Sequence, residues 1–239
     1  MKRVIVICGY GPGISHAVAI RFGRAGHPVA LLARSAQRLA AAERELAREG
    51  IQARSFVADL SDVEKVRHVV REVRTALGPI GVLHWNAFLD AEGDLLSAPL
   101  AELGKSFDIR VLSYLAAVRA CLADLEACGG TVLATSGIMA LDEPWIDSFA
   151  FDYGALAISV AAQHKATGIL AQALSPRGIH VGEVIVNGFV AGTPGGTGKS
   201  NTVAPVDIAE RFWALHTTRQ AHSMICGSVL PIEEGRRHG

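Results

Sequence analysis

Val4-Ile5-Val6-Ile7-Cys8 runs directly into Gly9-Tyr10-Gly11-Pro12-Gly13-Ile14-Ser15, and the reading of this stretch decides the fold. The first five residues are apolar and mostly β-branched, without polar alternation, as in a strand buried on both faces. Glycines stop the strand, and helical periodicity follows over residues 15–25, with Val18, Ile20 and Phe22 among its apolar positions. Strand, glycine-rich turn and helix in immediate succession form the opening half of a βαβ unit.

The same alternation continues outward. Strands are predicted at 29–32, 53–57, 82–85, 131–135, 179–186 and 228–232. Helices are predicted at 35–49, 61–77 (Ser61 as N-cap), 100–127, 156–174 and 205–216. Strands alternating with helices imply right-handed crossovers and a parallel sheet covered on both faces. The expected fold class is α/β, a doubly wound sheet forming one dinucleotide-binding domain over 1–239. The loose segment 192–202 holds four of its glycines within a mobile substrate flap at about 189–204.

Composition supports a folded chain and narrows its partners. Half of the 239 residues are apolar, 19% are charged, and 23 basic residues balance 23 acidic ones. Nothing in that balance favours nucleic acid or an anionic membrane as partner. Met1-Lys2-Arg3 precedes only five apolar residues, against the ~7–15 of a secretory signal core, and no run approaches the ~18 of a membrane span. Cys8, Cys121, Cys128 and Cys226 have neither metal-ligand spacing nor the density of a disulfide framework, so reduced thiols in a cytoplasm are expected. The histidines are scattered without a paired spacing, and no metal is expected.

Ligands of such sheets bind beyond the carboxyl ends of the strands, where the first turn offers free backbone amides to a pyrophosphate. Gly9, Tyr10, Gly11, Gly13 and Ile14 are therefore cofactor candidates. Their spacing is G-x3-G-x-G with Ser15 in the last place. After the second strand comes Ala33-Arg34-Ser35, with no acidic residue until Glu43. An acid there would hold a ribose hydroxyl, whereas Arg34, with Ser35, suits a 2′-phosphate and favours NADP over NAD. Thr193-Pro194-Gly195-Gly196-Thr197-Gly198-Lys199-Ser200 ends like a phosphate-binding loop but lies after the sixth strand, so an NTPase reading is set aside.

Further motifs add a family likeness. Asp59-Leu60, Trp85-Asn86-Ala87-Phe88, the 170–181 helix-to-strand passage, Asn187-Gly188-Phe189-Val190 with Thr193, and Pro205-Val206-Asp207-Ile208-Ala209 occur in order along the chain. With the opening turn they resemble the short-chain dehydrogenase/reductase family over essentially the whole length. The resemblance implies cofactor contacts at Asp59, Leu60, Asn86, Ala87, Asn187, Gly188, Val190 and Thr193.

That family works with an Asn-Ser-Tyr-Lys constellation, and here the pattern departs from it. Ser136 stands in the serine position, and Arg110 takes the place of the asparagine. Tyr153-Gly154-Ala155-Leu156-Ala157 resembles the tyrosine motif, with Ala157 where the lysine belongs. An ungapped count back from Pro176-Arg177-Gly178 instead sets Leu156 in the tyrosine place and Val160 in the lysine place. Both registers remove the lysine. Ser136, Tyr153 and Arg110 are the catalytic candidates, Arg110 able to stabilise an anion or to form a salt bridge. Three functions follow: an NADP(H)-binding oxidoreductase of a small carbonyl or alcohol with a non-standard site, a non-redox enzyme (lyase, isomerase or cyclase) on this scaffold, or a catalytically silent nucleotide-binding protein. The apolar run 155–162 suits a homo-dimer or homo-tetramer interface.

Overall fold

The computed structural model describes residues 2–89 and 93–228. The elements are β1 (Val4–Cys8), α1 (Ile14–Arg24), β2 (Val29–Ala33), α2 (Ala36–Arg48), β3 (Ala53–Val57), α3 (Val63–Leu77), β4 (Ile80–Trp85), α4 (Leu100–Phe107), α5 (Tyr114–Glu126), β5 (Thr131–Gly137), α6 (Pro144–Ala150), α7 (Gly154–Leu174), β6 (His180–Val186), β7 (Phe189–Val190), β8 (Thr202–Val203), α8 (Pro205–Thr218) and β9 (Ser223–Cys226). Seven strands form a sheet in the order β3-β2-β1-β4-β5-β6-β9, every pairing parallel. The order reverses between β1 and β4, and this switch point opens a crevice at the carboxyl ends of the strands.

Helices cover both faces. Val4, Val6 and Cys8 of β1 point into a core closed by α3, α5 and α7, while Ile5 and Ile7 point into a second core closed by α1, α2 and α8. Period-2 alternation thus sends every side chain of β1 into a core, which is why none of the five is polar. No helix among the described residues is long and apolar enough to cross a membrane.

Three local expectations are corrected. The helix expected over 100–127 is interrupted by a π-helical segment, Asp108–Ser113, between α4 and α5. Ser61 does not cap α3: its hydroxyl donates to Asp59 Oδ1, and the carboxylate of Asp62 accepts from the Glu64 and Lys65 amides instead. The last strand of the sheet is β9, upstream of the expected 228–232, of which 229–232 lie outside the described residues.

Candidate functional site

The β1–α1 turn is shaped by four close approaches. Gly9 has φ +86°, and a Cβ there would fall 2.5 Å from the Ala87 backbone, so glycine is required. The Asn86 amide nitrogen donates to Gly9 O at 3.1 Å, tying the turn to the end of β4. Ser15 Oγ accepts from the Gly11 amide at 2.8 Å and donates back to Gly11 O at 3.2 Å. A Cβ on Gly11 would meet nothing within 4 Å, whereas one on Gly13 would lie 2.6 Å from Thr193 Cγ2. The turn is closed from behind and open in front. No side chain caps α1, so its first amides have no side-chain acceptor.

This opening belongs to a cleft of about 1060 Å³. Gly9, Tyr10, Gly11, Gly13, Ile14, Arg34, Asp59, Leu60, Asn86, Ala87, Asn187, Gly188, Val190 and Thr193 all line it; Ser35 does not, and its hydroxyl instead caps α2 by accepting from the Arg38 amide. Arg38 joins Arg34 at the lip. Asp59 is held below the usual carboxylate range by hydrogen bonds from the Ser61 amide and hydroxyl. Tyr10 donates to or accepts from His16 Nδ1 at 2.7 Å, and burial pushes its phenol upward.

The other end of the cleft holds Ser136, Arg110 and Tyr153. Ser136 is the penultimate residue of β5, is 3% exposed, and its Oγ has no hydrogen-bond partner among the described residues. Arg110 lies in the π-helical segment at 8% exposure, with Nη1 donating to Gln163 Oε1 at 3.2 Å and its guanidinium 5.6 Å from the Phe88 ring centre. The salt bridge considered for Arg110 is absent among the described residues; an amide oxygen and a ring face take its place. Gln163 in turn donates Nε2 to Thr135 O at 2.9 Å. Tyr153 stands at the start of α7, its ring 6.0 Å from that of Phe149.

Residues 3–202 match the family model described as short chain dehydrogenase. The chain belongs to the short-chain dehydrogenase family. It is 29% identical over 181 residues to a short chain dehydrogenase of Pseudocercospora fijiensis, covering 73% of this chain and 59% of that one. A cis-2,3-dihydrobiphenyl-2,3-diol dehydrogenase of Pseudomonas putida is 29% identical over 238 residues, covering 96% and 77%. The chain spans about half to three fifths of the length of the first curated relatives it matches. A blue fluorescent protein from a metagenomic library, solved with NADPH, superposes with TM-score 0.83 at 24% identity over 93% of this chain and 95% of that one, a likeness of fold.

In this short-chain dehydrogenase, Tyr153, Leu156 and Val160 line the cleft, and Ala157 is not among its lining residues. Spacings of three and four keep them, with Gln163, on one face of α7. Sequence reading missed Arg38, Gln163 and the apolar wall of Met139, Trp145 and Phe149. Arg38 was signalled by its position one helical turn after Arg34, and Gln163 by being a polar residue three places after Val160 in an alanine-rich helix. Lys199, noticed only within the phosphate-loop look-alike, also lines the cleft, with Nζ 4.8 Å from the Phe189 ring centre. That look-alike segment forms a 3-10 turn, Pro194–Gly196, with no helix directly behind it. His84 and Trp85 are fully buried in the core.

Proposed function

We propose that this protein is an NADP(H)-dependent oxidoreductase of a small carbonyl or alcohol, working without the family's tyrosine–lysine pair. The observation that carries the reading is the open front of the Gly11 turn, continuous through one cleft with Arg34 and Arg38 at one end and Ser136 at the other. The residues fit the cofactor. Amides of the Gly9–Ile14 turn suit the diphosphate, Arg34 and Arg38 the 2′-phosphate, Asp59 and Leu60 the adenine, and Asn86, Ala87, Asn187, Gly188, Val190 and Thr193 the remainder. When bound, NADPH supplies a hydride. Ser136 is placed to donate to a substrate oxygen, and Arg110 to stabilise negative charge. Val160 stands where the ungapped register puts the lysine, so no ammonium is offered there.

The segment 189–204 serves as the substrate flap in this reading, supported by Thr193 resting against Gly13. A cytoplasmic homo-dimer or homo-tetramer completes it; within the run 155–162 Ala155, Ser159 and Val160 are buried in the chain itself, so Ile169 further along α7, 61% exposed, is the side chain available to a second copy. A second reading, a non-redox enzyme or a silent nucleotide-binding protein, is favoured by the same apolar pair, Leu156 and Val160. Titration with NADPH followed by a panel of carbonyl compounds separates these. Binding with turnover supports the oxidoreductase; conversion indifferent to cofactor removal supports the non-redox enzyme; binding without conversion supports the silent protein.

A further inference from the structure

We infer that Arg110 and Ser136 form a carboxylate-recognition site, so that the substrate is an oxo- or hydroxy-acid with an apolar body. The inference deepens the proposed function and rests on the cleft holding both cofactor and substrate.

Two donors carry it. Arg110 brings a positive charge into the protein interior, where an uncompensated charge is strongly unfavourable. Its compensation is incomplete: Gln163 takes one hydrogen bond, Phe88 offers a ring face, and Nε has no acceptor among the described residues. Ser136, more deeply buried still, has a hydroxyl without a partner among the described residues. Both residues line the same cleft. Gln163 couples them, since its amide oxygen accepts from Arg110 while its amide nitrogen donates to the carbonyl of Thr135, the residue before Ser136.

The arrangement lacks what its partner must bring, a group that accepts several hydrogen bonds and carries negative charge. A carboxylate does both, taking the guanidinium fork and a hydroxyl at once. A ketone or alcohol would satisfy Ser136 and leave the charge unanswered. Burial also pushes the Arg110 guanidinium down to about 10, which still leaves it a cation at neutral pH. The π-helical turn supports a functional role, because such turns recur at sites where a side chain is re-aimed. The same cleft is also lined by Phe88, Ile109, Met139, Trp145, Phe149 and Leu156, which suit an apolar body. A leucine or methionine at position 110 would fill the space without desolvating a charge, so a purely structural role gives arginine no advantage.

The test uses the full-length protein saturated with NADP+, so that the diphosphate region cannot capture the probe. Isothermal titration compares 3-phenylpropionate with 3-phenylpropionamide, which differ only in the anionic group. The acid is expected to bind about tenfold tighter or more, the worth of one charge-assisted hydrogen bond. That preference disappears in Arg110→Gln and shrinks in Ser136→Ala. Equal affinity for acid and amide in the unaltered protein overturns the inference, as does failure of both to bind or a preference that survives Arg110→Gln. If Arg110→Gln does not fold, Arg110→Met replaces it, and loss of the preference is expected because the charge is gone. Nucleotide titration of the unaltered protein is read separately. Its failure would strike the proposed cofactor, while the acid-over-amide comparison, repeated without nucleotide, still judges the carboxylate site.

Discussion

Arg110 donates through Nη1 to Gln163 Oε1 across 3.2 Å, and this bond ties the π-helical segment Asp108–Ser113 to the middle of α7. Gln163 is fully buried and Arg110 nearly so. Gln163→Leu removes the acceptor and leaves the guanidinium with only the Phe88 ring among these contacts. We expect a loss of about 2–4 kcal/mol in folding stability, read from urea midpoints at unchanged slope. A loss of less than about 0.5 kcal/mol would put this pair among ordinary surface contacts.

Two glycines of the same turn have opposite roles. Gly9→Ala places a methyl against the Ala87 backbone at positive φ and should cost more than about 1 kcal/mol of stability. Gly11→Ala meets open space and should leave stability within about 0.5 kcal/mol. Its methyl enters the room assigned to the diphosphate, so NADPH affinity should fall about tenfold, a steric cost of roughly 1.4 kcal/mol. Thermal melts and fluorescence titration of both variants decide; a Gly11→Ala protein with normal affinity contradicts the assignment.

The opening of the chain was legible because β1 and its turn are local. Five apolar residues and a glycine run mark strand, turn and helix start within a dozen consecutive residues. The π-helical segment was not legible, because an extra residue per turn leaves no mark on the apolar periodicity of 100–127. Ser61 and Asp62 are both good caps, and only the position of Asp59, which claims the Ser61 hydroxyl, chooses between them. The last strand was misplaced because β9 is a half-exposed edge strand whose pattern is weak beside the apolar residues that follow. Within the site, the residues assigned to the nucleotide lie in short loops that follow β1, β2, β3, β4 and β6, positions that the strand pattern itself locates. The substrate end depends on Gln163 meeting Arg110 from another helix, which no spacing reveals.

Buried histidines set the acid limit. Burial pushes His84 down to about 3, and burial with nearby His27 pushes His216 down to about 4. The unfolded chain protonates its histidines near pH 6.5, so below that pH it binds more protons than the folded protein. Stability from this source is complete above about pH 6.5 and drains away as the pH falls toward about 4 and then 3. Urea midpoints should drop between about pH 7 and about pH 5, and drop less in His216→Gln. A flat profile, or an unchanged slope in the variant, runs against the account.

Leu156 and Val160 both line the cleft, four residues apart on one face of α7. If they stand where the family's tyrosine and lysine do, Leu156→Tyr with Val160→Lys supplies an acid with a cation beside it. NADPH-dependent reduction of a simple ketone should then rise by roughly 10²-fold or more. A double variant that folds, binds NADPH and gains nothing would favour the Tyr153 register.

The most direct test of the nucleotide assignment is a set of four dissociation constants: NADPH and NADH, each with the unaltered protein and with Arg34→Ala. The account predicts tight NADPH binding that weakens about tenfold or more in the variant, with NADH nearly unmoved, because only NADPH carries the phosphate that Arg34 would hold. Failure of the unaltered protein to bind NADPH, or equal losses for the two nucleotides, would contradict it.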